Sequence, residues 1–182
     1  MRIFIRISFA LIIIWFGVTA VRQSLIGYEL GLFHELQYIP IVALSIFTVL
    51  AFILDTSYYK IDKKSYHYIT SLMGVTFCSF VIIKNIQHKY IDNAVTVLKV
   101  TNMPGATNVI TFQFKENQDF KLLEHNQLGQ TIFYGKYEII NDSLFIRDNN
   151  YNGHFYTLPK TGIIKADTVF WTNFDTMLID KN

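Results

Sequence analysis

Three apolar segments fill the first half of the chain and constrain its fold more than any motif does. They run from Ile7 to Val21, from Ile39 to Leu54 and from Ile69 to Ile83. A helix needs about 20 apolar residues to cross a bilayer, so we expect each segment to recruit its flanks and to span near 3–21, 37–54 and 68–83. The sequence therefore predicts a transmembrane helical region over 1–89 and a separate extramembrane domain over 90–182.

From Ala94 onward the pattern changes to short alternating runs that are broken by turn residues every eight to twelve positions. Such a pattern is typical of an all-β sandwich or barrel. Pro104-Gly105 suits a type II turn, and Asn141-Asp142 suits a two-residue hairpin. We predict three transmembrane helices followed by a small antiparallel β-barrel or sandwich of about eight strands. The expected strands lie near 94–101, 108–115, 119–125, 130–140, 143–147, 154–158, 162–165, 168–172 and 174–180.

Alternation also predicts which side chains form the core of this β domain. Residues two apart on a strand share one face, which groups apolar side chains on two of the predicted strands. The core should contain Ile110, Phe112 and Phe114 from one strand and Phe133, Tyr137 and Ile139 from another.

The distribution of Lys and Arg predicts an orientation in the membrane. Arg2 and Arg6 precede the first segment, and three lysines lie in the connection 55–68, whereas the connection 23–38 carries two glutamates. Cytoplasmic loops are enriched in Lys and Arg. We therefore expect a multi-pass protein of the bacterial inner membrane with a cytoplasmic N-terminus and an extracytoplasmic C-terminal domain.

The first segment also has features of a secretory signal. A basic start, an apolar stretch and the small residues of Val18-Thr19-Ala20 fit a signal peptide with a cleavage site. Two further apolar segments follow, as in ordinary multi-spanning proteins, so we favour a retained anchor. Cleavage would leave the C-terminal domain on the same side of the membrane.

No motif for catalysis, metal binding or a cofactor occurs in the chain, so we predict a non-enzymatic protein that needs no cofactor. The β half has eight basic and ten acidic residues, with Arg147 as its only arginine. A nucleic-acid-binding face needs clustered Lys and Arg. We therefore expect membrane lipids among the partners and no nucleic acid polymer.

Glu29, His34 and Glu35 form a cluster of polar residues in the first connection. Two carboxylates and an imidazole could meet a metal or serve a membrane enzyme, which we keep as the least favoured alternative. A solvated face at the membrane interface is the simpler interpretation.

Small residues recur along the third segment. Ser71, Gly74 and Cys78 lie on one helical face, where small side chains let another helix approach closely. Packing within the three-helix region is the first interpretation, and a homo-oligomer formed through the third helix is the second. Cys78 is the only cysteine of the chain, so no intramolecular disulfide is possible.

Tyr151, Phe155 and Tyr156 flank a polar loop at 149–153 and are our candidates for binding. Aromatic side chains beside a loop are enriched at recognition surfaces. They would contact a protein partner or a small ligand, and packing at the rim of the domain is the alternative.

The stretch from Gly135 to Ile146, GKYEIINDSLFI, resembles a strand–turn–strand of lipocalin-like domains in bacterial envelope proteins. That resemblance implies a lipocalin-like β domain. Our main hypothesis for the whole chain is a membrane protein whose extracytoplasmic β domain binds a protein partner or a small ligand, as an envelope accessory or toxin-immunity factor does. The Gly-x-Trp motif that opens true lipocalins is missing from the β half.

The whole architecture is also similar to bacterial antiphage effectors that join transmembrane helices to a minimal β-barrel sensing a cyclic oligonucleotide. That resemblance implies a cytosolic barrel, ligand-dependent oligomers and disruption of the membrane as an antiviral defence. A basic groove with Lys136, Arg147 and Lys160 would be its structural sign.

Overall fold

The computed structural model describes residues 2–25, 27–29, 38–102, 109–126, 129–147, 151, 158–172 and 176–180. The chain divides into a helical unit, residues 1–25 and 33–86, and a barrel unit, residues 26–32 and 87–182. Among the predictions for the β half, the turn at Pro104-Gly105, the strand at 154–158 up to residue 157, and the positions of Phe155 and Tyr156 lie outside the described residues.

Three long helices form the first half of the chain. Helix α1 covers Arg2–Leu25, α2 covers Ile39–Asp62 and α3 covers Ile69–Asn93, and a short 3-10 helix at Ser65–Tyr68 leads into α3. Each long helix is apolar and long enough to cross a membrane. The three predicted helices are therefore confirmed.

Helix α2 continues beyond the apolar segment that ends at Leu54, so the first part of the connection between the second and third apolar segments, up to Asp62, is helical. Thr56 and Ser57 lie within this helix, and each hydroxyl satisfies its own hydrogen-bonding capacity by donating to the carbonyl four residues earlier. The helix ends at Lys63, whose left-handed backbone, at φ 55°, turns the chain.

Apolar side chains from all three helices form the core of the helical unit. Phe47 of α2 contacts two rings of α1, lying edge-on to Phe9 at 6.0 Å and stacked on Phe16 at 5.8 Å between ring centroids. Many large apolar side chains on the outer faces stay exposed, as expected for helices that face lipid. The buried apolar residues are Ile13, Ala20, Leu44, Ala51 and Val81.

The small residues of α3 lie where the helices of one chain meet. Gly74 is buried against Thr48 of α2, and a Cβ atom at Gly74 would lie 2.3 Å from the Thr48 hydroxyl oxygen. Ser71 is buried, and Cys78 is partly buried against the apolar core of the unit. Glycine at position 74 thus permits the close approach of α2 and α3.

Gly74→Val should destabilise the helical unit, because the added side chain has no room beside Thr48. Overpacking of this kind costs about 1–3 kcal/mol, which thermal unfolding of the detergent-solubilised protein would detect. Ser79→Val, at an exposed position of the same helix, is the matched control. The close-packing account fails if both variants unfold at the same temperature. Adding Thr48→Ala to Gly74→Val should recover part of the loss.

The second half of the chain forms a closed antiparallel barrel of eight strands, which confirms the predicted fold class. The strands are β2 (Thr96–Thr101), β3 (Val109–Lys115), β4 (Asp119–Asn126), β5 (Gly129–Ile140), β6 (Ser143–Ile146), β7 (Thr161–Lys165), β8 (Thr168–Trp171) and β9 (Met177–Ile179). In the sheet, neighbouring strands follow the order β5-β4-β3-β2-β9-β8-β7-β6, and pairing of β6 with β5 closes it. The hairpin turn at Asn141-Asp142 separates β5 from β6 as predicted, with Asn141 at φ 55°.

Inward-facing aromatic and aliphatic side chains fill the barrel. Five of the six core residues named above are buried, whereas Ile139 is 41% exposed near the end of its strand. The aromatic rings contact one another, with Phe112 5.3 Å from Trp171 and Phe114 4.8 Å from Tyr137 between centroids. Aromatic contacts of this kind add to the stabilisation from burial alone.

A ninth strand, β1 (Gly27–Glu29), comes from the connection between α1 and α2 and pairs with the first part of β5. Glu29 lies opposite Gln130 in the register. A three-residue strand is too short to show an alternating pattern, so the sequence analysis did not predict it.

The last turns of α3, which belong to the barrel unit, pack on the outside of β4 and β5. The Tyr134 hydroxyl donates a hydrogen bond of 3.1 Å to Asp92 Oδ2, and Lys121 Nζ forms an ion pair with Asp92 Oδ1 at 2.7 Å. His88, one turn earlier, stacks on the Tyr134 ring with 4.1 Å between centroids. The Lys115 ammonium group donates to the carbonyls of Asp92 and Ala94 at the C-terminal end of α3. The negative end of the helix dipole stabilises a cation at this position.

Candidate ligand-binding site

A pocket of about 250 Å³ lies beside β6 and the start of β7. A hydrogen bond of 2.9 Å from the Ile146 N–H to the Lys160 carbonyl joins its two sides. Its volume is just below the common range for small-molecule sites, about 300–1,000 Å³. The pocket is lined by Ile146, Arg147, Leu158, Pro159 and Lys160.

Two cationic side chains and three apolar ones surround this pocket. Arg147 is an exposed side chain whose Nε and Nη2 both donate to Glu138, with the Nε contact at 2.9 Å. An exposed ion pair of this kind contributes little to stability, so an anion can compete for the guanidinium. Lys160 is exposed, and no acidic partner for it occurs in the part of the chain that the structure describes. The lining thus suits a small anion that carries an apolar group.

The structure brings two of the three predicted basic residues to this pocket. Arg147 and Lys160 line it, whereas the Lys136 ammonium group pairs with Asp119 at 2.9 Å. Lys136 stays next to Arg147 through the backbone, because its carbonyl accepts the Arg147 N–H at 2.8 Å.

Tyr151 is the one predicted aromatic contact within the described residues. Its side chain is half-buried, and its ring lies edge-on to Phe133 with 4.7 Å between centroids. This is the rim packing that the sequence analysis gave as the alternative.

Glu124 is a buried carboxyl group that the sequence analysis did not single out. It follows Phe120 and Leu122 at intervals of two on β4, so it faces the barrel interior as they do, between Ile110 and Thr131 on the neighbouring strands. Its side chain is 3% exposed, and Oε1 has no hydrogen-bond partner. Burial raises the pKa of Glu124 to about 7. The interval of two was the signal in the sequence that could have revealed it.

A second polar atom inside the barrel lacks a partner. Trp171 is 7% exposed, and its indole Nε1 is buried without a hydrogen bond. An unpaired buried donor or acceptor costs about 1–3 kcal/mol. Within the described barrel strands, Glu124 Oε1 and Trp171 Nε1 are therefore the buried side-chain atoms that lack a hydrogen-bond partner.

Replacing Glu124 should change how stability depends on pH. Because its pKa is raised from 4.5 to about 7, the folded protein binds more protons than the unfolded chain between these pH values, and stability falls as pH rises through them. Glu124→Gln removes this penalty. The free energy of unfolding of the variant, relative to that of the natural chain, should therefore be higher at pH 8 than at pH 4 by about 3 kcal/mol.

Denaturant unfolding followed by tryptophan fluorescence at both pH values measures this difference. Glu116→Gln, at an exposed glutamate in the β3–β4 turn, is the control with the same chemical change. An equal effect of Glu124→Gln at pH 4 and pH 8 would contradict the assignment of a proton to Glu124.

The polar residues of the first connection fall outside this description. His34, Glu35 and the side chain of Glu29 do not belong to the described part, so the metal and enzyme alternatives built on them stay predictions. Within the described ranges, no three His, Cys, Asp or Glu side chains meet in an arrangement that could hold a metal ion.

No protein-family model, curated protein or solved structure matches the chain.

Proposed function

We propose that this chain is a non-enzymatic integral membrane protein whose β-barrel binds a small anionic ligand with an apolar part. The pocket between Arg147 and Lys160 carries the proposal, because it combines two cations with the apolar surfaces of Ile146, Leu158 and Pro159. Arginine in particular suits carboxylate, sulfonate and phosphate groups, since its guanidinium donates two parallel hydrogen bonds.

The proposed setting is the bacterial inner membrane, with the N-terminus in the cytoplasm and the barrel outside it. The excess of Lys at 55–68 over the first connection supports this orientation. The resemblance of GKYEIINDSLFI to lipocalin-like envelope domains also supports it, and that stretch forms the end of β5, the turn and β6. An envelope accessory or toxin-immunity protein fits this setting, and a protein partner of the barrel remains an alternative occupant.

A second candidate function is an antiphage effector whose barrel senses a cyclic oligonucleotide. The observation that favours it is the pairing of Arg147 with Lys160 at one pocket, since phosphates need such cations. It requires a cytosolic barrel. It also requires that copies of the chain associate through the exposed apolar faces of their helices. The ion pair of Lys136 with Asp119 counts against it, because it neutralises the third cation of the expected basic groove.

Calorimetric titration with 1-naphthalenesulfonate tests the main proposal. The probe has one sulfonate for the two cations and one apolar ring system for the rest of the pocket. The full chain in nanodiscs should bind it beyond the signal of empty nanodiscs. The double variant Arg147→Gln/Lys160→Gln should bind about tenfold more weakly or worse, the effect of losing a charge-assisted hydrogen bond.

Lys165→Gln is the matched control, because it removes an exposed charge on β7 away from the pocket lining. Binding that is the same in the double variant and in the control, or absent from the natural chain, would contradict the proposal. Titration with cyclic di-AMP separates the two candidates. Tighter binding of this probe than of the sulfonate, lost in the same double variant, would favour the effector.

A further inference from the structure

Glu124 and Trp171 lie inside the barrel at the same end of it. Trp171 is the last residue of β8, and Glu124 stands two residues before the end of β4. Each strand in the series β4, β3, β2, β9 and β8 is antiparallel to the next, so β4 and β8 run in the same direction. Both strands therefore finish at one end of the barrel, which we call the Glu124 end.

The two side chains at the Glu124 end are buried and unpaired. Within the described residues, neither Glu124 Oε1 nor Trp171 Nε1 has a hydrogen-bond partner, and no Lys or Arg forms an ion pair with Glu124. Buried polar groups of folded proteins almost always have a partner. An ionised carboxylate can only accept hydrogen bonds, and an indole N–H can only donate one. An occupant of this end therefore needs a donor for Glu124 and an acceptor for Trp171.

Aromatic rings lie next to Glu124 inside the barrel. Its register neighbours on β3 and β5 are each followed, two positions on and on the same face, by a phenylalanine, which is Phe112 on β3 and Phe133 on β5. Phe112 also lies 5.3 Å from Trp171 between ring centroids. The negative face of an aromatic ring attracts a cation. The rings therefore favour a cationic group beside the carboxylate.

The chemistry of the Glu124 end narrows the class of its occupant. A metal ion needs several ligands, and no three His, Cys, Asp or Glu side chains in the described ranges could hold one. Water can reach a donor and an acceptor, but it leaves the charge of Glu124 uncompensated. An organic ammonium group compensates this charge, donates a charge-assisted hydrogen bond and suits the neighbouring rings.

We propose that the Glu124 end of the barrel binds a small organic ammonium compound that also carries a hydrogen-bond acceptor. The ammonium group pairs with Glu124 next to Phe112 and Phe133, and the acceptor receives the N–H of Trp171. None of these four side chains lines the pocket that we propose for an anion. The two proposals are therefore independent of each other.

Titration with ethanolamine tests this site in the full chain in nanodiscs, because ethanolamine has an ammonium group and a hydroxyl acceptor. The chain has two tryptophans, and Trp15→Phe, at an exposed position of α1, leaves Trp171 as the fluorescent one. At pH 8, above the pKa of about 7 for Glu124, the emission of Trp171 should change to saturation. Glu124→Gln should weaken binding by about tenfold or more, the effect of losing a charge-assisted hydrogen bond.

Two matched controls accompany the titration. Glu116→Gln, at the exposed glutamate of the β3–β4 turn, should bind ethanolamine as the natural chain does. Propylammonium has a methyl group in place of the hydroxyl, so it should bind about fivefold more weakly than ethanolamine. The proposal is overturned if the natural chain shows no saturable change, as expected for a buried water alone. Equal binding by Glu124→Gln and Glu116→Gln, or equal binding of the two ammonium compounds, overturns it as well.

The double variant Arg147→Gln/Lys160→Gln separates this site from the pocket for an anion. It should bind ethanolamine at least as tightly as the natural chain, because two cations have been removed from the barrel. Loss of ethanolamine binding in this variant would place the ligand in the other pocket and overturn the proposal. A failure of the sulfonate probe to bind leaves the ethanolamine test unaffected.

A second measurement needs no change at the site. Proton NMR of the natural chain, labelled with nitrogen-15 at tryptophan, reports the indole N–H groups of Trp15 and Trp171 separately. Ethanolamine should shift the Trp171 signal downfield, since its proton enters a hydrogen bond, and should leave the Trp15 signal in place. An unchanged Trp171 signal at saturating ethanolamine overturns the proposal even if Glu124→Gln fails to fold.

Discussion

Strand β5 is the element on which the barrel unit depends. It pairs with β4 along most of its length, with β1 through its first residues and with β6 through its last. Pairing with β6 closes the sheet, and closure removes the open edges that would otherwise invite aggregation. Pairing with β1 has a topological consequence, since β1 precedes α2 and α3 and the rest of the barrel follows them. Residues 27–29 and the barrel must lie on one side of any membrane, so α2 and α3 both cross it or neither does.

The buried polar groups divide into those with partners and those without. The Lys115 ammonium donates to backbone carbonyls at the end of α3, and the Tyr137 hydroxyl donates to the Lys115 carbonyl at 2.7 Å. Burial lowers the pKa of Lys115 and raises that of Tyr137. Asp55 likewise has Ser71 and Arg6. Hydrogen bonds offset the cost of burial at these sites, whereas Glu124 has no such compensation at Oε1, and its carboxyl takes a proton more readily instead.

Length and period explain what could be predicted from the sequence. Three long apolar runs and the interval of two in Phe112 and Phe114 indicate helices and a β core, because burial requires those repeats. The sequence did not indicate that α2 continues to Asp62, because Asp55 interrupts the apolar run. The helix accommodates Asp55 beside Arg6, a partner 49 positions away that no local pattern could indicate. Of the residues that line the pocket, the sequence analysis predicted the two cations, Arg147 and Lys160, and none of the apolar residues. Its apolar wall depends on how residues 158–160 return to β6, which no repeat in the sequence specifies.

The central claim is that the chain crosses a membrane three times, with the first connection and the barrel on the same side. Labelling of single cysteines with a membrane-impermeant maleimide in intact cells, in a Cys78→Ser background, tests it most directly. The account predicts that Tyr28→Cys and Lys165→Cys react under the same condition, either in intact cells or only after the membrane is opened, and that Lys63→Cys reacts under the other condition. Reaction of Tyr28→Cys and Lys165→Cys from opposite sides would contradict it.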